Sequence, residues 1–124
     1  MTRVARILVV EDDDSIRELV DVILSGAGYE VLTASNGAAA LQVLGSARPD
    51  LVLLDMRMPI MDGWEFARRY RALPEPAAPI VVLTAARDAA ARAKEIHANG
   101  YLGKPFNVQE LLTMVSHHAC RPER

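Results

Sequence analysis

The hydrophobic positions of this chain fall into two alternating patterns. Short continuous apolar runs recur, among them Ile7-Leu8-Val9-Val10, Leu51-Val52-Leu53-Leu54 and Val81-Val82-Leu83. Between them lie longer stretches in which apolar residues repeat every three or four positions. A short apolar run bounded by polar residues reads as a strand buried on both faces, and the three-to-four repeat reads as an amphipathic helix. Regular alternation of the two predicts repeated βα units, and so an α/β fold around a parallel sheet. The pattern places strands near 5–10, 30–34, 50–54, 79–83 and 100–103. It places helices near 14–27, 37–46, 63–72, 87–97 and 107–118.

The helices differ in how much they can bury. In the first, Ile16, Leu19, Val20, Ile23, Leu24 and Ala27 make one apolar face, with Asp14 as N-cap and Gly26 or Gly28 as the stop. The last repeats the logic with Val108, Leu111, Leu112 and Val115 behind an Asn107 cap. The fourth is dominated by Ala89, Ala90, Ala91, Ala93 and Ala98, and Ile96 is its only large aliphatic residue. Alanine favours helix but buries little area. That helix is therefore either weakly docked, as moving elements are, or packed unusually close to the sheet. Three prolines between Leu73 and Pro79 make a stiff loop rather than a domain linker.

Composition narrows the classes. A chain of 124 residues makes one domain, 1–124, with a core of about 5–118 and a tail or linker start at 119–124. Hydrophobic residues make up 51%, too many for a disordered chain. A net charge of -2 argues against direct nucleic-acid binding. Cys120 is the single cysteine, so no intrachain disulfide forms, and a reducing cytoplasm fits. No apolar run approaches a membrane span, and the run after Arg3 and Arg6 is a strand rather than a signal peptide.

The chemistry gathers at the strand ends. The first strand runs into Glu11-Asp12-Asp13-Asp14, the third into Asp55, the fourth into Thr84 and the fifth into Lys104-Pro105. Open α/β sheets bind ligands beyond the carboxyl ends of their strands. Glu11, Asp12 and Asp55 would bring three carboxylates together, which repel and raise one another's pKa unless a cation joins them. Magnesium suits hard oxygen ligands and phosphate chemistry; manganese is an alternative. Asp55 is then a nucleophile toward a phosphoryl group, with Lys104 and Thr84 as partners for its oxygens. Each residue alone has a plainer reading: helix-start acids, a turn aspartate, a strand-end hydroxyl, a Lys-Pro turn. Their co-occurrence at successive strand ends favours the site. Asp13 reads as a loop acid only.

These motifs resemble the receiver domain of two-component response regulators. The likeness runs from Arg6 to about His118. It rests on Ile7-Leu8-Val9-Val10-Glu11-Asp12, Asp55-Met56-Arg57-Met58-Pro59-Ile60-Met61-Asp62-Gly63, Val82-Leu83-Thr84-Ala85 and Tyr101-Leu102-Gly103-Lys104-Pro105-Phe106. The resemblance implies a flavodoxin-like, doubly wound (βα)5 three-layer sandwich with sheet order 2-1-3-4-5. It implies Asp55 as phosphoacceptor, Asp12 as direct Mg2+ ligand, Glu11 as a ligand largely through water, and the Arg57 backbone carbonyl as a further ligand. It implies Thr84 as switch hydroxyl, Tyr101 as switch aromatic, Lys104 as the phosphate-binding lysine, and a cis Lys104–Pro105 peptide. It implies a histidine kinase or phosphotransfer protein as donor, and a downstream protein target or output domain as receiver of the signal. Such a domain is a monomer or weak dimer. It is no enzyme toward others, catalysing only its own phosphorylation and dephosphorylation. Both a stand-alone receiver and one domain of a longer regulator or hybrid kinase suit it.

Several positions are particular to this chain. His97-Ala98 stands where the family often has Gly-Ala, so His97 is a candidate for left-handed backbone. Arg57 either covers the phosphoryl group or points to solvent. Ala86, two after Thr84, leaves that side open. Trp64 is either an exposed contact point or a packed helix-start aromatic. His117 and His118 are adjacent on a helix and share no face, which rules out a metal or phosphohistidine pair. Two rival functions are weaker. A pseudo-receiver that only docks has no need of Glu11, Asp12, Asp55, Thr84 and Lys104 together. Aspartate-nucleophile phosphatases often carry a second Asp two positions on as general acid, and here that position is Arg57.

Overall fold

The computed structural model describes residues 4–119, so Arg3, Cys120 and the tail from 121 lie outside the described residues. Five strands and five helices alternate: β1 Arg6–Val10, α1 Asp14–Gly26, β2 Glu30–Ala34, α2 Gly37–Leu44, β3 Leu51–Leu54, α3 Gly63–Arg71, β4 Ile80–Ala85, α4 Ala86–Glu95, β5 Gly100–Lys104 and α5 Val108–His118. All strand pairs are parallel, in the order β2-β1-β3-β4-β5. The expected order and layering are borne out.

Strand alternation divides the core in two. Leu8, Val10, Val52, Leu54, Ile80 and Val82 face α2, α3 and α4, where Phe66, Tyr70 and Ile96 meet them. Ile7, Val9, Leu51, Leu53, Val81 and Leu83 face α1 and α5, against Val20, Leu24, Leu111 and Val115. Both faces of β1, β3 and β4 are therefore covered, as their unbroken apolar runs require.

Some local expectations are corrected. Asp13, not Asp14, caps α1: its backbone is extended, and the Ile16 N–H donates to its Oδ1 at 3.0 Å. Asp14 is the first helical residue and pairs with Arg17 at 2.6 Å. Leu19 is 52% exposed and Ala27 is exposed, because the seated stripe of α1 runs through Ile16, Val20, Ile23 and Leu24. Val108 is likewise exposed, while Leu111 and Val115 carry the contact of α5. Asn107 does cap α5, in a reciprocal capping box with Glu110. Strands β4 and β5 reach further than their apolar runs, so Thr84 and Lys104 lie within the sheet, opposite Gly103 and Ala85.

Backbone exceptions fall in the loops at both edges of the sheet. The Lys104–Pro105 peptide is cis. His97 has φ 53°, as its place after α4 suggested. Ile60 has φ 69°, a conformation β-branched residues seldom adopt and residue type does not signal.

Candidate functional site

Val10 and Leu54 are register partners at the ends of β1 and β3, so Glu11 and Asp55 leave the sheet side by side. Their backbones are pinned: the Asp55 N–H donates to the Val10 carbonyl at 2.9 Å, and the Glu11 N–H to the Ala34 carbonyl at 3.0 Å. Glu11 is fully buried and Asp55 is 6% exposed, whereas Asp12 is exposed. Lys104, at the end of β5, places Nζ 2.6 Å from Glu11 Oε1 and 3.7 Å from Asp55 Oδ2. Gly63 closes the floor: its N–H donates to the Met56 carbonyl, and a Cβ there would come within 2.6 Å of the Asp55 carbonyl oxygen.

The electrostatics follow from this packing. One ammonium serves two buried carboxylates. Burial first, and then the Glu11 charge, push the Asp55 carboxyl from 3.8 up to about 7, with Lys104 pulling the other way. Carboxylate oxygens of Glu11, Asp12 and Asp55 all lie within 4.8 Å of one another. Glu11 Oε1 is buried without a hydrogen bond, met by the Lys104 ion pair. An oxygen cluster with two buried members and one exposed, short of positive charge, fits a hard divalent cation such as Mg2+.

Around the carboxylates, β4 and β5 supply two more of the expected residues. Thr84 is half-buried. Tyr101 is 49% exposed and lies on the same sheet face, opposite Val82. Gly103, opposite Thr84, has no side chain to stand between them.

Trp64 is the packed helix-start aromatic of the two expectations, and Arg57 is exposed as its solvent-facing reading has it, but the two side chains also touch. The Arg57 guanidinium lies over the Trp64 ring, its carbon 5.6 Å from the ring centre. Trp64 is half-buried, and its Nε1–H donates to Glu95 Oε1 of α4 at 2.8 Å. No local pattern signals this contact, since the two residues lie 31 positions apart on different helices. His117 and His118 rings meet edge to face at 4.8 Å, far from the carboxylates in the fold, at the end of α5.

Residues 7–116 match the family model of the response regulator receiver domain. The chain belongs to that family. Receiver domains are the phosphoaccepting modules of two-component signalling, and they bind Mg2+ at an acidic pocket. The DNA-binding response regulator MtrA of Mycolicibacterium smegmatis is 39% identical over 120 residues, covering 95% of this chain and 52% of MtrA. This receiver domain thus spans about half the length of the curated relatives it matches. A putative response regulator from Chloroflexus aurantiacus J-10-fl superposes with TM-score 0.88 at 38% identity, covering 96% of this chain and all of that one. The receiver domain of the sensor histidine kinase PA1611 from Pseudomonas aeruginosa PAO1, solved with magnesium coordinated in its active-site cleft, superposes with TM-score 0.83 at 31% identity. It covers 94% of this chain and 98% of that one.

Proposed function

We propose that Asp55 accepts a phosphoryl group from the phosphohistidine of a histidine kinase or phosphotransfer protein in the cytoplasm. The observation that carries this reading is the Glu11–Lys104–Asp55 cluster: an aspartate at a strand end, 6% exposed, with an ammonium 3.7 Å away. An Asp55 oxygen attacks phosphorus, the P–N bond breaks, and its electron pair stays on the donor imidazole. Hydrolysis reverses the modification: water attacks phosphorus, the Asp55–phosphorus bond breaks, and inorganic phosphate leaves.

The chain's own groups divide the work. Main-chain hydrogen bonds fix Asp55 and Glu11 in place. Lys104 stands ready to bond the phosphoryl oxygens while holding Glu11. Glu11, Asp12, Asp55 and the Arg57 carbonyl would hold Mg2+, which when bound offsets the charge of the carboxylates and of the phosphoryl group. Thr84 offers its hydroxyl to a phosphoryl oxygen, and its inward movement leaves space for Tyr101. The surface of α4, β5 and α5 thereby switches between two arrangements that a protein target or output domain distinguishes.

The test is intact mass after incubation with acetyl phosphate, with and without Mg2+, for wild type and Asp55→Asn. A magnesium-dependent adduct, labile to base and hydroxylamine and absent in the variant, is expected. No adduct under any condition, a competent kinase included, overturns the reading.

A further inference from the structure

Arg57 and Trp64 stand beside the acceptor chemistry and in contact with each other. The guanidinium carbon of Arg57 lies 5.6 Å from the Trp64 ring centre, and that of Arg92, on α4, lies at the same distance from the same ring. Glu95 joins them: one carboxylate oxygen accepts the Trp64 indole N–H at 2.8 Å, and the other lies 3.2 Å from Arg92 Nη2. Two cations thus share one ring, and Glu95 compensates Arg92 alone. Arg57 is exposed and, among the described residues, makes no hydrogen bond or ion pair.

Arg57 is therefore the loosely held member. A cation over an exposed aromatic face is weakly bound, and a second cation on the same ring weakens the hold. Arg57 follows Asp55 by two residues, so their Cα atoms are at most about 7 Å apart, within an arginine's reach. A phosphoryl group brings close to two negative charges and three acceptor oxygens. A guanidinium can bond such a group through two parallel N–H groups, a stronger contact than its place on the ring.

We propose that Trp64 is a positioning residue that keeps the Arg57 side chain off Asp55, and that Arg57 leaves the ring for the phosphoryl oxygens once Asp55 is modified. This rests on Asp55 as the acceptor. The departure of Arg57 changes the surroundings of Trp64 while Arg92 and Glu95 still grip it. The state of Asp55 then reaches α4 by a route separate from Thr84 and Tyr101. A guanidinium on the phosphoryl group also obstructs water, so the hold of the ring on Arg57 helps set the lifetime of the adduct.

Trp64 is the chain's one tryptophan, so its fluorescence reports on this contact directly. Emission and intact mass are measured on the same samples after acetyl phosphate and Mg2+. The mass decides whether Asp55 is modified; the emission, read only where an adduct is present, decides the role of Trp64. An emission change in wild type that is absent in Arg57→Ala is expected. In adduct decay, Trp64→Leu should lengthen the half-life about two- to fivefold when Arg57 is present and leave it unchanged in Arg57→Ala. Trp64→Phe keeps a ring face without the indole N–H and should stay near wild type, which covers the case of a poorly folding leucine variant. An equal emission change with and without Arg57 overturns the proposal. So does a Trp64→Leu effect that persists in Arg57→Ala, or a Trp64→Phe half-life that departs from wild type as far as that of Trp64→Leu.

Discussion

Burial and the neighbouring Glu11 keep the Asp55 carboxyl protonated up to about 7, against an ordinary value of 3.8. A folded-state pKa above the unfolded one means that the folded protein holds this proton more tightly. The stability it contributes is complete below about 3.8 and is lost as pH rises through about 7. Asparagine cannot ionise and escapes that loss. Without Mg2+, Asp55→Asn should exceed wild type in stability by on the order of 2 kcal/mol at about pH 8, about half the full linkage value because solvent screens the site, with the gap narrowing toward pH 4. Urea unfolding in a chelator at several pH values checks this. A pH-independent difference would mean that some other property of the side chain is responsible.

At the scale of elements, α4 combines close packing with a polar tether. It starts directly from β4 with no side-chain cap, and its first residue sits hard against β5. A Cβ on Gly103 would come within 2.5 Å of Ala86 Cα and 2.6 Å of Ala86 Cβ. At its other end, Arg71 donates to the carbonyls of Ile96 and His97, and Trp64 donates to Glu95. Of the two expectations for an alanine-rich helix, close packing describes its start, and long polar side chains hold its end. Gly103→Ala should cost about 1–3 kcal/mol by forcing α4 away from the sheet. Amide exchange should speed up along α4 and stay unchanged in α1; equal exchange in both proteins would show that the helix yields without loosening.

Sequence legibility followed the same division. Unbroken apolar runs mark β1, β3 and β4, and alternation with the helices marks β2 and β5; the residues after the strands include Glu11, Asp12, Asp55 and Lys104, because a parallel sheet puts all carboxyl ends on one edge. The ends of β4 and β5 are not legible in the apolar runs, because pairing between strands, not hydrophobicity, extends them through Thr84 and Lys104. Asp13 and Asp14 suit an N-cap equally well by type, and only backbone geometry separates them. Leu19 fits the helical repeat but lies on its edge, where the tilt of α1 on the sheet decides exposure. The tie between Trp64 and α4 joins residues 31 apart through long side chains, a contact no local pattern encodes.

For the whole molecule, metal binding and folding are linked. The carboxylates of Glu11, Asp12 and Asp55 come together only in the folded chain, so a cation bound there favours that state. Added Mg2+ at a hundredfold excess over its Kd should stabilise the protein by about 2.7 kcal/mol, read as a rise in Tm. Asp12→Ala should greatly reduce that increment; an increment of equal size in the variant would place the ion elsewhere.

The carboxylate–lysine cluster draws its members from the ends of β1, β3 and β5, and Glu11 and Lys104 lie 93 residues apart in the chain. A ribosome-bound fragment that has made β1 and β3 already carries both acids but not the lysine that completes the pocket. The complete carboxylate–lysine cluster is therefore a property of the finished domain. On the reading of Asp55 as acceptor, a half-made copy presents that aspartate without its counter-charge.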